Sequence, residues 1–459
     1  MPENDKPSST STRRSQRLQR LTVSLRRWEE ELPMVFAACL VGLLSVGFAK
    51  AAEWAIEFHA ALLNGRPWIG LLLSPLGFAA IAWITLRFFP SATGSGIPQA
   101  IAASLSTDGR LRRSLLSIPI ALGKILLTTL GLLCGASIGR EGPTVQVASS
   151  VMYALAGKRK RRRLASSHAL IVAGGGAGVA AAFNTPLGGI LFAIEEMSHR
   201  RAFQANGTLL TAVIFSGIVS LLLLGNYTYF GRTDLAMGMA DGWKVVLAMG
   251  IACGLMGSLY ARALIALSHH GLPGRAGQWA KRHPIYLAAA CGLGTAVLGW
   301  VTGGDIYGTG YQQVKSALEG EGMLPWYFFL AKMAAITLAF VSRIPGGVFA
   351  PALAVGAGLG SLVAMGFPGL APNVFLVLGM VGFLSALTQT PITAFVIVME
   401  MTANHEVLLP LMATSLIAFA LSRTLIRTPL YHALARDTLR SASERLKQQK
   451  LVHQDTLGN

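Results

Sequence analysis

Charged residues are scarce in this chain. Asp, Glu, Lys and Arg make up 13% of its 459 residues, about half the share found in an average soluble protein. A soluble chain of this length would fold into two or three domains, each of which needs a polar surface. The charges are too few for such surfaces, which excludes an ordinary soluble enzyme and a disordered chain.

Cysteine and acidic residues are also few. The four cysteines lie in apolar segments without a Cys-x-x-Cys pair, and the nine histidines are scattered. We therefore expect neither a metal site nor a disulfide framework. The 21 Asp and Glu residues form no cluster suited to acid–base chemistry, which argues against a membrane enzyme acting on lipid-linked substrates. We expect a protein that is not an enzyme and that needs no cofactor.

Apolar segments make up most of the sequence, since hydrophobic residues are 53% of the chain. Several segments are shorter than the roughly 20 residues of a straight membrane span, and Gly and Pro interrupt them. Aromatic residues are 8% and no strand-like alternation runs through the chain, which disfavours an outer-membrane barrel. The sequence predicts an all-α polytopic protein of the lipid bilayer with tilted and broken helices.

The net charge of +18 is concentrated in short loops. Basic clusters lie at Arg110, Arg112 and Arg113, at 158–163 and at 199–201. In a membrane protein such clusters mark cytoplasmic loops, and we do not expect a nucleic-acid partner. Between these loops the chain must cross into the membrane and return.

The two returns fall near residues 139–143 and 183–186. Glu141 is therefore expected deep in the membrane or toward the outside, and Glu196 near the inside.

The chain contains an internal repeat. Residues 185–195 resemble 390–400 at a spacing of 205, and 139–143 align with 347–351 at a spacing of 208. This pattern predicts two duplicated halves of about 200 residues with an ion site between them at the membrane midplane. We divide the chain into a cytoplasmic tail with an amphipathic helix (1–32), two transmembrane repeats (33–225 and 226–440) and a short cytoplasmic tail (441–459).

Three breaks between apolar segments each precede a predicted helix start, at 94–98, 139–143 and 347–351. A helix start offers free backbone N–H groups and the positive end of the helix dipole. Three such starts that converge would bind an anion through partial charges, which allow release better than a buried lysine or arginine does.

These breaks, with the sequences Gly-Ser-Gly-Ile-Pro, Gly-Arg-Glu-Gly-Pro and Gly-Val-Phe-Ala-Pro, resemble the signature motifs of the CLC chloride channel and transporter family. Pro-Leu-Tyr at 429–431 resembles the family's late tyrosine. The resemblance covers about residues 33–440. It implies a homodimer with one anion pathway in each subunit, built from inverted halves.

Carried over by motif, the resemblance implies two anion sites. Hydroxyl groups of Ser95 and Tyr431 would contact the central anion, and backbone N–H groups would complete the central and outer sites. The full set of implied anion-binding residues is Ser95, Gly96, Ile97, Arg140, Glu141, Gly142, Val348, Phe349 and Tyr431. Taken alone, Ser95 could also be a helix cap and Tyr431 an interfacial anchor.

Two carboxylates would couple anion movement to protons. Glu141, at a helix start, can occupy an anion's place when ionised and leave it when protonated. Family exchangers carry Glu-Glu-Met at the end of the corresponding helix, as residues 195–197 do here, which makes Glu196 the internal proton relay. The resemblance thus favours a secondary active chloride/proton antiporter. The alternatives are a passive voltage- or pH-gated chloride channel, and a Glu196 that only pairs with Arg200.

Other residues near the motifs follow the family pattern or depart from it. Family members often have a lysine at the place of Lys124, where it would raise the potential around the pathway; a simple salt bridge is the alternative. Gln99 and Arg343 replace the family's usual acid and small residue. Ser95 resembles chloride-selective members, whereas nitrate-preferring members tend to have proline there. Only 28 residues follow Tyr431, too few for the paired cytoplasmic nucleotide-binding domains of many eukaryotic members, so we expect a prokaryotic inner-membrane protein. We also expect both termini in the cytoplasm.

Overall fold

The computed structural model describes residues 9–156, 166–198, 207–225, 228–231, 239–404 and 406–457, with side chains for 32–155, 166–198, 207–225, 228–231, 242–404 and 406–448. The described chain is almost entirely helical. Its α-helices are α1 Ser9–Leu63, α2 Gly70–Phe88, α3 Ile97–Leu105, α4 Gly109–Leu115, α5 Ile118–Leu133, α6 Glu141–Ala156, α7 Ser167–Phe183, α8 Pro186–Phe192, α9 Gly207–Leu224, α10 Met239–His270, α11 Gly274–Arg282, α12 Pro284–Val301, α13 Tyr311–Leu318, α14 Phe328–Val341, α15 Phe349–Ala364, α16 Pro372–Thr388, α17 Pro391–Thr402, α18 Leu408–Leu425 and α19 Leu430–Leu457. A π-helical turn, Ala193–Met197, extends α8.

Helices of two lengths build the membrane domain. Seven described helical segments are long and apolar enough to cross a bilayer, and five more apolar helices have only 10–17 residues. Large apolar side chains such as Leu222 and Val301 are 77% and 80% exposed, as expected for side chains that face lipid. The prediction of an all-α membrane fold with broken helices is confirmed.

Two helices continue through the boundaries that we drew at the ends of the membrane domain. α1 runs without a break from Ser9 to Leu63, with Pro33 inside it, so the amphipathic segment and the first span form one helix. α19 likewise continues past residue 440. The division into tails and repeats stays a prediction. The basic clusters at 158–163 and 199–201 lie outside the described residues.

The repeated segments face each other in opposite directions. Glu195, at the end of the first segment, accepts hydrogen bonds from the backbone N–H groups of Ile392 and Thr393 at the start of α17. Glu400, at the end of the second, accepts from Leu187 and the following residue at the start of α8. Because each segment caps the start of the other, α8 and α17 are antiparallel, as an inverted repeat requires.

The inner helices approach each other closely because they are rich in glycine. A methyl group at Gly174 of α7 would lie 2.7 Å from Cα of Ser149 in α6. A methyl group at Gly379 of α16, at the equivalent place in the second repeat, would overlap the backbone of Gly356 in α15. The missing side chains let the two pairs of helices pack backbone against backbone and hold the starts of α6 and α15 in place.

Candidate functional site: an anion pathway

The three signature loops meet in the interior. Gly139 and Gly347 form an antiparallel bridge with two backbone hydrogen bonds of 2.7 Å. Gly346 donates to the carbonyl of Gly94 at 3.0 Å, and Gly94 donates to Ile344 at 3.3 Å. These bonds join the loops before α3, α6 and α15, so the three helices start at one place.

Glycine is required where the loops touch. A methyl group at Gly142 would overlap Oγ of Ser95 and lie 2.9 Å from its carbonyl oxygen. Gly96 has a φ of +105°, and a methyl group there would lie 2.6 Å from the carbonyl oxygen of Gly142. The contact therefore depends on the absence of side chains at both positions, and it brings the start of α3 against the start of α6. Ile97, the first residue of α3, is also buried.

Tyr431 reaches the same place from α19. It lies in the first turn of that helix and is fully buried. Its hydroxyl lies beside Ser95 and within electrostatic reach of both Glu141 and Glu196. Neither Oγ of Ser95 nor the Tyr431 hydroxyl has a well-aligned hydrogen-bond partner among the described residues. Two buried hydroxyl groups thus point into the space where the helices start.

Glu141 is the first residue of α6, and its side chain is 1% exposed. The carboxylate folds back over Gly139, close enough that a methyl group there would overlap Oε2. Neither carboxylate oxygen accepts a well-aligned hydrogen bond from the part of the chain that is described. An acid held at a helix start without such a bond is placed to exchange with another anion.

Arg140 turns away from its neighbour. Its Nη1 donates to the carbonyl oxygen of Ala49 and lies 3.2 Å from the Glu53 carboxylate on α1. Nε of Arg140 is 4.0 Å from Oε1 of Glu141. The guanidinium is therefore engaged by α1, and its contact with Glu141 is the longer one.

Phe349 begins α15 and is 2% exposed. Its ring lies 5.6 Å from that of Phe183 and 6.3 Å from that of Phe192. These aromatic contacts link the start of α15 to α7 and α8. Val348, which precedes the helix, is 4% exposed, so both residues at this helix start are buried.

Glu195 and Glu196 are adjacent but face different surroundings. Glu195 caps α17, whereas Glu196 is 1% exposed and Oε1 has no hydrogen-bond partner among the described residues. The ring of His432 lies beside it, with Nε2 3.9 Å from Oε1. Arg200, the alternative partner, lies outside the described residues.

A buried lysine in each repeat holds a loop of the pathway. Nζ of Lys124 donates to the carbonyl oxygens of Ala92 and Gly94, at 2.7 and 2.6 Å. Lys332, 208 residues later, donates to three carbonyl oxygens at 306–308. Among the described residues no carboxylate lies within ion-pair distance of Lys124, so the salt bridge is not observed and Lys124 anchors the Ser95 loop.

Gln99 stabilises the same loop. Its Oε1 accepts from the N–H of Gly96 at 3.0 Å, and Nε2 donates to the carbonyl of Thr93 at 2.6 Å. A neutral amide can make both bonds at once, whereas the usual carboxylate could only accept.

Two cavities approach the site from opposite ends of α12. One, of 560 Å³, reaches Ser95 and is lined by Pro284 and Leu287 at the start of α12. The other, of 1120 Å³, reaches Arg140 and is lined by Gly299 at the helix end. The 18 residues of α12 span about 27 Å. The site thus lies between two cavities at opposite ends of this helix.

The smaller cavity is strongly basic. Lys281, Arg343 and Arg445 line it, with Asp437 as an acid. Arg343 has a φ of +60° and an exposed side chain. Partial burial, and then the positive charge of Arg343, lower the pKa of the Arg445 guanidinium. An anion entering from this side meets a positive potential.

Sequence reasoning missed three of these residues. Lys332 could have been found, because it repeats Lys124 at the spacing of the motifs. The capping role of Glu195 is visible only once α8 and α17 are paired. His432 lies 236 residues from Glu196, and no local pattern indicates their contact.

Known proteins resemble this chain over most of its length. Residues 76–423 match the family described as voltage gated chloride channel. The H(+)/Cl(−) exchange transporter ClcA of Cronobacter sakazakii is 32% identical over 442 residues, which cover 89% of this chain and 90% of that protein. ClcA of Citrobacter koseri is 30% identical over 459 residues, which cover 93% and 94%.

Solved structures resemble the fold. A slow cyanobacterial Cl−/H+ antiporter, 25% identical, superposes with a TM-score of 0.76 over 90% of this chain and 98% of its own. A CLC-type fluoride/proton antiporter, 21% identical, has a TM-score of 0.72 over 88% and 97%. The second likeness concerns the fold alone.

Proposed function

Because the chain belongs to the voltage-gated chloride channel family, we propose that it is a secondary active antiporter that moves chloride across the membrane in exchange for protons. The observation that carries the proposal is the meeting of the starts of α3, α6 and α15 beside the buried Glu141. Relatives named as H(+)/Cl(−) exchange transporters over most of the chain support exchange over a passive channel.

In this proposal chloride binds centrally between the Ser95 and Tyr431 hydroxyl groups and the backbone N–H groups of Ile97, Val348 and Phe349. Hydroxyl groups and helix starts supply partial positive charge, so chloride is stabilised without a full countercharge and can leave again. Ser95 at this position supports chloride as the preferred anion.

The outer site is formed by backbone groups of Arg140, Glu141 and Gly142, with Gly96 allowing the close approach of α3. The ionised Glu141 carboxylate and an incoming chloride compete for the same helix start, because both are anions of similar size. Protonation removes the charge of Glu141 and lets chloride take its place. Each such exchange moves one proton on or off the pathway, which couples the two flows.

Glu196 is the inner end of the proton route. Its carboxyl group is buried and lies within electrostatic reach of Tyr431, which also neighbours Glu141. Protons and chloride would thus share the outer part of the pathway and separate below Tyr431. A passive channel would not need this second buried acid.

We also propose an orientation. The basic cavity lies at the end of the domain that carries α4, with Arg110, Arg112 and Arg113, since α4 packs against α19. The positive-inside rule assigns this end to the cytoplasm of a bacterial inner membrane, with both termini on that side. The family resemblance supports a homodimer, which light scattering of the purified detergent-solubilised protein would test.

The proposed function is tested by flux measurements in liposomes loaded with chloride. We expect Glu141→Gln to pass chloride while losing proton movement, because the amide cannot carry a proton. Glu196→Gln should likewise lower proton flux about tenfold or more while chloride still passes. Glu321→Gln, an exposed acid in the loop after α13, is the matched control and should leave both fluxes unchanged.

Chloride flux in the native protein without proton flux would overturn the proposal in favour of a channel. Unchanged proton flux in Glu196→Gln would remove that residue from its assigned role.

A further inference from the structure

His432 lies directly against the inner proton acceptor. It follows Tyr431 in α19, and its ring nitrogen Nε2 is 2.9 Å from the backbone carbonyl oxygen of Glu196. The same Nε2 is 3.9 Å from the carboxylate oxygen Oε1 of Glu196. A carbonyl oxygen only accepts hydrogen bonds, so Nε2 carries a hydrogen that points at the Glu196 residue.

Glu196 needs such a contact to exchange protons with water. Its side chain is 1% exposed, whereas that of His432 is 16% exposed. Oε1, the carboxylate oxygen that faces His432, has no hydrogen-bond partner in the described part of the chain. Imidazole is the side chain that gains and loses a proton near neutral pH.

The charged surroundings of His432 favour Glu196 as its acceptor. α19 packs against α3, α4, α10 and α16. α3 and α16 contain no titratable residue. On α19 itself the described acids are Asp437, which is paired with His269 at 3.1 Å, and Glu444, which lies about 18 Å from His432 along the helix. The described basic groups of this helix are Arg436, Arg440, Arg445 and Lys447, and Arg436, one turn from His432, is exposed. On the two remaining helices the titratable residues whose side chains are described, within 109–115 of α4 and 242–270 of α10, are Arg110, Arg112, Arg113, Lys244, Cys253, Tyr260, Arg262, His269 and His270, and none of these is a carboxylate. The neighbouring acid Glu195 is engaged by α17.

We propose that His432 is a proton-relay residue that carries protons between cytoplasmic water and Glu196. The proposal rests on the antiporter function above and names the inner end of its proton route. The relay belongs to this chain's own residues and requires no additional ligand.

The proton balance of the relay is simple. A cytoplasmic hydronium ion gives a proton to Nδ1 of His432 and leaves as water. The resulting imidazolium passes its Nε2 proton to Oε1 of Glu196, after a rotation of the carboxyl group that brings the two atoms to about 3 Å or through one bridging water. The neutral ring then exchanges protons with water until Nε2 again carries the hydrogen. The net result is one proton moved from water to Glu196.

The experiment compares proton and chloride fluxes in liposomes at equal pH on both sides, driven by a chloride gradient. His432→Gln keeps an N–H group that can donate to the Glu196 carbonyl but cannot carry a proton. We expect its proton flux to fall about fivefold to tenfold, with chloride flux kept. His270→Gln, an exposed histidine at the end of α10, is the matched control.

Chemical rescue separates a relay from a purely structural role. In His432→Ala, added imidazole should restore proton flux, whereas the same imidazole should not restore it in Glu196→Gln. Absence of rescue, or an equal loss of chloride and proton flux in His432→Gln, would overturn the relay. If His432→Gln carries no chloride at all, the relay is tested in the native protein by measuring proton flux as a function of pH. A proton flux that is independent of pH between about 5.5 and 7.5 contradicts the proposal.

These outcomes are distinct from failure of the proposed function. If the native protein couples and Glu196→Gln does not, but His432→Gln couples normally, only the relay is wrong. If the native protein moves chloride without protons, both proposals are wrong.

Discussion

Glu195 and Glu400 should contribute to stability, in contrast to the adjacent Glu196. The Glu195 carboxylate accepts three hydrogen bonds from the start of α17, at 3.2 Å from the Ile392 N–H and at 2.7 and 2.8 Å from the N–H and hydroxyl of Thr393. Hydrogen bonds to a charged group contribute about 1.5–3 kcal/mol each. Glu195 is partly exposed, so we expect Glu195→Ala to lower the free energy of unfolding by about 3–5 kcal/mol.

We expect a smaller loss of stability when Glu400, the acid that caps α8, is replaced. Glu400 accepts two hydrogen bonds, at 3.1 and 2.7 Å, so Glu400→Ala should cost about 2–4 kcal/mol. The two carboxylates act at separate places on the first repeated segment. Glu400 caps the N–H of Leu187, and Glu195 lies eight residues further along, a distance of about 12 Å along the helix. At that separation the two losses should add within about 0.5 kcal/mol in the double variant.

The assay is equilibrium unfolding in mixed detergent micelles, followed by tryptophan fluorescence and circular dichroism. Glu321→Gln is the control and should stay within about 0.5 kcal/mol of the native protein. Glu196→Gln should also keep its stability, because Oε1 accepts no hydrogen bond from a described residue. A Glu195→Ala variant as stable as the control would refute the reciprocal capping of the two repeats.

Further substitutions test the pathway itself. In Gly142→Ala the new methyl group would overlap Oγ of Ser95, so chloride and proton flux should both fall by about tenfold or more. Gly47→Ala, where a methyl group meets no atom within 4 Å, is the control for flux and should change neither. Ser95→Pro should shift anion preference from chloride toward nitrate, measured as relative flux, and an unchanged selectivity series would reject the role of the Ser95 hydroxyl.

Much of the site could be predicted because its chemistry is local. Each signature loop contains its own helix break and its own glycines, and the polar residue that faces the pathway lies within the same few positions. Ser95 and Glu141 are thus identifiable from their loops alone. Their convergence follows from the repeat, since inverted halves bring helix starts together at the midplane.

The remaining features depend on contacts between distant parts of the chain. Glu195 and Glu196 are neighbours in sequence, but the helix turns their side chains in different directions, one toward α17 and one toward α19. Only the packed structure assigns them different surroundings. The contact of His432 with Glu196 has the same origin. Arg343 was visible as a departure, but its exposure to the basic cavity depends on a left-handed backbone conformation.

The central claim is that chloride and the Glu141 carboxylate compete for one place at the starts of the converging helices. The most direct measurement is anomalous diffraction from crystals of the native protein and of Glu141→Gln grown in bromide. We predict bromide between the Ser95 and Tyr431 hydroxyl groups in both, and a second bromide at the start of α6 only when the carboxylate is removed. Bromide bound elsewhere, or an α6 site equally occupied in both proteins, would contradict the account.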